Sequence, residues 1–342
     1  MKKAWLQRTA AALLAAVLGL CLAACGGSSA PPAATAAPDA GSAADTPESS
    51  GTRTGLGIYT GCSTDGLSGK ATSTAAGVLL DADGRILRCV IDSAENEVAA
   101  NPDGTLALPP AAGTKWEQGE NYGMREASSI DREWYEQAQA FCAYIEGMTA
   151  AEVAAVETQN GKPSDPDLAA GCTMHITPLV LAVERACENA ASRGAGKNDT
   201  LHLGIVSAVT GTDAIDDADG LITVASTFAL LTLNTEEVIT SAVLDEVEPA
   251  FSVDTTGSVT EPGSAVRSKL AQGEAYGMRE ASSIGREWYE QSEGFCRLLT
   301  GKTVSELRGI PSNGADADLA SVCTINITAF LTSAVKAVDS AA

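Results

Sequence analysis

The sequence predicts an α+β protein made of two tandem homologous domains, each an antiparallel sheet packed with helices. Three observations predict it. Tyr122 to Gln137 reads YGMREASSIDREWYEQ and Tyr276 to Gln291 reads YGMREASSIGREWYEQ, agreeing at 15 of 16 positions at an offset of 154 residues. Weaker matches flank this pair over a unit of about 140 residues, the size of one ordinary domain. Within each unit, Ala/Val/Leu-rich strand-like segments come first and segments with helical apolar spacing come last. The expected organisation is a leader over 1–24, a tether over 25–54, a first module over 55–190, a linker over 191–200 and a second module over 201–342.

The leader has three parts. Lys2, Lys3 and Arg8 accompany an apolar stretch from Ala10 to Leu22, followed by Leu22-Ala23-Ala24-Cys25-Gly26. That is the pattern of an export signal, and a cysteine directly after the cut makes Cys25 the expected lipid attachment point. The apolar run falls short of the roughly 20 residues a membrane span requires. From Gly26 to Thr54 the chain is mostly Gly, Ser, Ala, Pro and Thr, too poor in apolar side chains to offset chain entropy, so a disordered tether is expected. The expected location is the cell membrane, lipid-anchored on its extracytoplasmic face.

Charge narrows the partners. The chain carries −22, and removal of a leader with three basic residues and no acids takes it to −25. Such a field repels nucleic acid and anionic head groups. The expected partners are the membrane through Cys25 and either a membrane redox protein or a surface ligand.

Each module's elements follow in order. Asp81-Ala82-Asp83-Gly84 and Asp217-Ala218-Asp219-Gly220 each precede an apolar run and read as matching hairpin turns, with Gly84 and Gly220 at positive φ. Ile86 to Ile91 suits a strand. The repeated motif opens with a glycine-containing loop and enters a helix, where Trp134, Phe141, Cys142 and Ile145, or Trp288, Phe295, Cys296 and Leu299, share a buried face. Thr149 with Glu152, and Thr303 with Glu306, form capping boxes for a short helix. Short strands are expected at Met174–Ile176 and Ile325–Ile327. A final helix is expected to start with Thr177-Pro178 or Thr328, the threonine serving as N-cap.

Catalytic groups shared by both modules should occupy matched positions. Histidine fails this test: His175 faces Asn326, and His202 lies in the second module's first strand, so no common histidine base or zinc site is expected. The DADG turns lack the remaining ligands of a calcium loop. No metal and no catalytic residue set is predicted. Cys62, Cys89, Cys142, Cys172, Cys187, Cys296 and Cys323 form an odd set in an exported chain. Of these, Cys142 with Cys172 and Cys296 with Cys323 recur in both modules, either as disulfides or as small buried side chains. The repeated motif has two readings. Arg125, Arg132, Arg279 and Arg286 hold a phosphate while Tyr122 or Tyr276 stacks on a planar ring, or the arginines pair with Glu126, Glu133 and Glu136 and with Glu280, Glu287 and Glu290.

The end of each module resembles the FMN-binding domain family of extracytoplasmic flavin carriers. Asp167-Leu168-Ala169-Ala170-Gly171-Cys172-Thr173 keeps the Asp, Gly and Thr of the family's attachment pattern. Asp318-Leu319-Ala320-Ser321-Val322-Cys323-Thr324 keeps the Asp, Ser and Thr. Gly57-Ile58-Tyr59-Thr60-Gly61 is similar to its opening strand, and the YGM…REWYEQ segment resembles one in clostridial lipoproteins. The resemblance implies FMN as cofactor, with Thr173 or Thr324 as acceptor beside Asp167 or Asp318. Tyr122, Arg125, Tyr276 and Arg279 are the further candidates for binding it. Two functions remain open: a flavin-dependent electron carrier, or a non-catalytic surface binding or scaffold lipoprotein without the flavin.

Overall fold

Long apolar strands that bury both faces need a layer on each side, and that requirement sets the architecture. The computed structural model describes residues 51–312 and 317–340, which fall in one compact unit. The expected leader, Cys25 and nearly all of the tether lie outside the described residues. Among the described residues no helix is long and apolar enough to cross a membrane.

The first module runs β1 (Arg53–Asp65), β2 (Ser68–Leu80), β3 (Ile86–Ala99), α1 (Lys115–Gln118), α2 (Trp134–Ile145), α3 (Ala150–Ala154), β4 (Thr158–Gln159), β5 (Lys162–Pro163), α4 (Pro166–Ala169) and α5 (Thr177–Glu188). The second repeats it as β6 (Thr200–Thr212), β7 (Gly220–Leu233), β8 (Ile239–Val247), β9 (Ala250–Val253), β10 (Val259–Thr260), α6 (Lys269–Gln272), α7 (Trp288–Leu299), α8 (Val304–Arg308), α9 (Ala317–Val322) and α10 (Thr328–Asp339). Strands β1, β2 and β3 form an antiparallel meander, and β6, β7 and β8 pair in the same way. The α+β class is as expected.

Helices cover one face of each sheet. Ala76, Val78, Ile86 and Ile91 meet Trp134, Phe141, Ile145, Ala182 and Ala186 in the first module. Ala229, Leu231, Ile239 and Leu244 meet Trp288, Phe295, Leu299, Phe330 and Ala334 in the second. The last helix of each module lies so close to its sheet that only glycine fits beneath it. A Cβ on Gly57 would stand 2.1 Å from the Ala182 carbonyl oxygen, and one on Gly204 2.1 Å from that of Ser333.

The opposite faces of the two sheets pack on each other. Leu56, Ile58, Ala75 and Leu79 meet Leu201, Leu203, Ile205, Phe228 and Leu230 in a shared core. Strand β3 lies against β6, and β1 against β8, so the modules are related by an approximate two-fold axis. The result has four layers, helices–sheet–sheet–helices. With both faces covered, the strands read as continuous apolar runs such as Ala75–Leu80, all buried.

Several local expectations require correction. Gly84 takes positive φ (81°) in the β2–β3 turn, but Gly220 does not: Asp217–Asp219 lie in the β6–β7 connection and Gly220 opens β7. The true counterpart of Asp81 is Asn234. Asp81 Oδ1 accepts Asp83 N and Arg85 N at 2.9 and 2.8 Å, while Asn234 Oδ1 accepts Glu236 N and Val238 N at 3.0 Å each. The same side-chain turn thus arises from different letters. Met174–Ile176 and Ile325–Ile327 are irregular and not strands, because Gln137 takes the Met174 amide and Gly161 the Ile176 amide. Thr177 and Thr328 are the first helical residues, and Ile176 and Ile327 precede them as caps. The capping boxes at Thr149 and Thr303 form as expected.

Candidate functional site

The buried polar groups of the repeated motif build the motif itself. Glu133, only 1 % exposed, accepts Met124 N and Arg125 N at 2.9 Å each, and Glu287 accepts Met278 N and Arg279 N at 2.9 and 2.8 Å. Gln137 is equally buried. Its Nε2 donates to Ser128 Oγ and the Arg132 carbonyl at 3.2 and 3.0 Å, while its Oε1 accepts Thr173 N and Met174 N at 2.8 and 3.1 Å. Gln291 repeats this with Ser282, Arg286 and Thr324 N. Each helix is thereby stitched to the loop before it and to the segment before the last helix.

The single mismatch in the motif confirms how strictly geometry governs it. Asp131 and Gly285 differ, and both adopt positive φ, 53° and 63°. Glycine takes that conformation freely, and aspartate is one of the few other residues that tolerates it.

The candidate phosphate ligands are engaged. Arg125 Nη2 pairs with Glu120 at 2.7 Å and Glu136 at 2.9 Å, and Arg279 pairs with Glu274 at 2.7 Å and Glu290 at 2.9 Å. The hydrogen bonds that Arg125 donates to Glu120 hold its guanidinium above its ordinary range, and the same bonds with the one from the Tyr135 hydroxyl hold the Glu120 carboxyl below its own. Glu120 and Glu274, outside the expected pairing set, are thus the main partners, and Glu133 and Glu287 act on backbone amides instead. The rings of Tyr122 and Tyr276 lie under Lys115 and Lys269, with the ammonium 4.9 and 5.1 Å from each centroid. These lysines, missed in the sequence, are held by Glu95 at 3.3 Å and by Glu246 at 2.7 Å.

Thr173 and Thr324 sit in the expected loops, each hydroxyl donating to the glutamine below it at 3.4 and 3.1 Å. Asp167 lies in the first turn of α4 and Asp318 in that of α9, both exposed. The Thr, Asp, Tyr and Arg candidates of each module are therefore brought near its long helix, where Thr173, Thr324, Arg125 and Arg279 already have partners. Arg132 and Arg286 are exceptions: neither forms an ion pair among the described residues, and a Cβ on Gly171 would stand 3.6 Å from Arg132 Nη1. The seven cysteines among the described residues are free thiols, Cys142, Cys172, Cys296 and Cys323 among them. Among the described residues no His/Cys/Asp/Glu group can hold a metal.

A different place has the shape of a binding site. A cavity of about 730 Å³ opens beside β8 and α7, with Ala242, Val243, Leu244, Leu270 and Cys296 among its lining. Its size lies within the usual span for small-ligand pockets. Arg193, Tyr289, Glu293 and Arg297 supply polar groups around it. Arg193 is half-buried and donates to the carbonyls of Thr54 at 2.9 Å and Ala191 at 3.5 Å, with no carboxylate partner among the described residues. Arg297 shares its charge with Glu293 at 3.7 Å. Burial pushes the Cys296 thiol up to about 12, so it stays protonated and apolar in character.

The first module fills the matching place. Trp116, at the position of Leu270, packs edge-on against Tyr135 with centroids 5.8 Å apart. Cys89 stands where the second module has Ala242, and Ala138 where it has Ser292, whose Oγ donates to the Leu244 carbonyl at 2.9 Å. Replacement of an indole by a leucine and a thiol by a methyl empties this seam. No sequence pattern announced it, because only comparison of the two modules residue by residue exposes the missing volume.

Comparison with family models, with curated proteins and with solved structures finds no match for this chain.

Proposed function

We propose that this protein is a non-catalytic binding lipoprotein, anchored through Cys25 at the extracytoplasmic face of the membrane. Its second module takes up a small organic anion with an apolar body. Arg193 is the observation that carries the reading. A half-buried guanidinium without a carboxylate, in a chain of net charge −22, stands over an apolar floor and lacks a counter-charge. An anion there gains a charge-assisted hydrogen bond, and its apolar body covers Leu270 and Val243.

Fluorescence titration with 8-anilinonaphthalene-1-sulfonate tests this, with uncharged N-phenyl-1-naphthylamine as control. Arg193→Gln should weaken the sulfonate probe about tenfold, the loss of one charge-assisted bond of ~1.5 kcal/mol, and leave the neutral probe unchanged. Leu270→Trp, which installs the first module's side chain, should abolish binding of both. Unaltered binding in both variants would remove the reading.

The second reading is the flavin-dependent electron carrier, with FMN held near Thr173. Arg132, unpaired beside Gly171, is the observation in its favour. A yellow purified protein whose flavin absorbance persists after denaturation would put this reading in place of the first.

A further inference from the structure

The first module has three cysteines along the seam that the second module leaves open. Cys89 projects from β3 toward the helices, Cys142 lies on the buried face of α2, and Cys187 lies near the end of α5; all border one core. Their counterparts in the second module are Ala242, Cys296 and Val338. The fold itself therefore needs neither Cys89 nor Cys187.

Placement singles out one pair. Strand β3 and helix α2 are direct neighbours, and in the second module Cys296 and Ala242 line the same cavity, so the first module's equivalent positions face one seam. The Cys142 thiol is the neighbour that acts most strongly on the Cys89 thiol. Cys172, the partner expected from the repeat, lies in the turn after α4, where its amide donates to the Leu168 carbonyl at 2.8 Å.

We propose that Cys89 and Cys142 are a disulfide-forming pair that clamps β3 to α2 in the first module, leaving the second module's seam free to open. In the step, one thiol loses its proton and attacks a low-molecular-weight disulfide such as glutathione disulfide, releasing one glutathione thiolate. The second thiol, once deprotonated, displaces the second glutathione. Two protons and two electrons leave the cysteines, and one glutathione disulfide becomes two glutathione molecules. The neighbouring Cys142 and burial both hold the Cys89 thiol protonated, so exchange is slow at neutral pH and accelerates in alkali.

The full chain is incubated with glutathione disulfide at about pH 8.5, then unfolded and digested without reduction by trypsin and a glutamate-specific protease. The second protease is needed because Lys162-Pro163 resists trypsin and leaves Cys142 and Cys172 on one peptide. The expected result is loss of two thiols and a cross-linked peptide joining Cys89 to Cys142, with a melting temperature about 5–10 °C higher than that of the reduced protein. Cys89→Ala, which copies Ala242, should fold, lose the cross-link and show no oxidative rise. A link from Cys142 to Cys172, a link from Cys89 to Cys187, glutathione adducts without a link, or no reaction each overturn the proposal.

Discussion

Replacement of Gln137 by alanine separates a structural motif from a ligand-binding one. The substitution removes the acceptor for Thr173 N and Met174 N and the donor to Ser128 Oγ and the Arg132 carbonyl. A buried backbone group left without its partner costs about 1–3 kcal/mol. Thr173 and Met174 are half-buried, so water recovers part of that, and the expected loss is about 2–4 kcal/mol. For a chain of this size it lowers the melting temperature by roughly 5–10 °C. Urea titration followed by tryptophan fluorescence should show the midpoint falling at constant slope. Gln137→Glu keeps an acceptor but loses the amide donor, so its midpoint should fall between the two. Binding of the sulfonate probe, which concerns the other module, should not change. Should Gln137→Ala lose less than about 1 kcal/mol while probe binding collapses, the assignment of the motif to architecture would be refuted.

Two further predictions concern the joined sheets and pH. A Cβ on Gly77 would stand 2.2 Å from Leu230 Cδ1 of the facing sheet. Gly77→Ala should therefore destabilise by about 1–3 kcal/mol, and Leu230→Ala by about 2–5 kcal/mol. The double variant should recover part of the Gly77 loss; strict additivity in urea titrations would show that the two sheets do not meet there. Burial raises the Asp92 carboxyl to about 6, against hydrogen bonds from Thr114, Ser93 and Trp116 that lower it. A raised acid binds a proton more tightly when folded, so its contribution is fully present below the unfolded value near 4 and is lost as pH rises through about 6. The wild-type stability minus that of Asp92→Asn should thus decline between about pH 4 and pH 6. Parallel profiles for the two proteins would contradict this.

The sequence made some features plain and concealed others for physical reasons. The duplication was legible because the buried glutamate, the buried glutamine and the arginine pairs each tie several residues of the motif together. The long helix was legible because Trp134, Phe141, Cys142 and Ile145 fall on one face at its pitch. The DADG turns misled because an Asx turn is set by one side-chain oxygen, which Asp81 and Asn234 supply equally, so identical letters at Asp217 marked a different connection. The expected strands at Met174 and Ile325 failed because a glutamine distant in sequence claims the local amides. The cavity was hidden most deeply. It depends on Leu270 being smaller than an indole that exists only in the other module, and absence of volume leaves no signature in a single segment.

The packing of the two sheets has a consequence for how such a chain arises. Released from its twin, one module would present Leu56, Ile58, Ala75 and Leu79 to water as a continuous apolar face. An identical copy, related by a two-fold axis, is the simplest cover for such a self-complementary surface. The present chain is in effect a homodimer written on one polypeptide. In a true homodimer every substitution appears twice, whereas after fusion one half can lose an indole and open a pocket while the other keeps its plug. Covalent linkage of the halves is what permits their inequality.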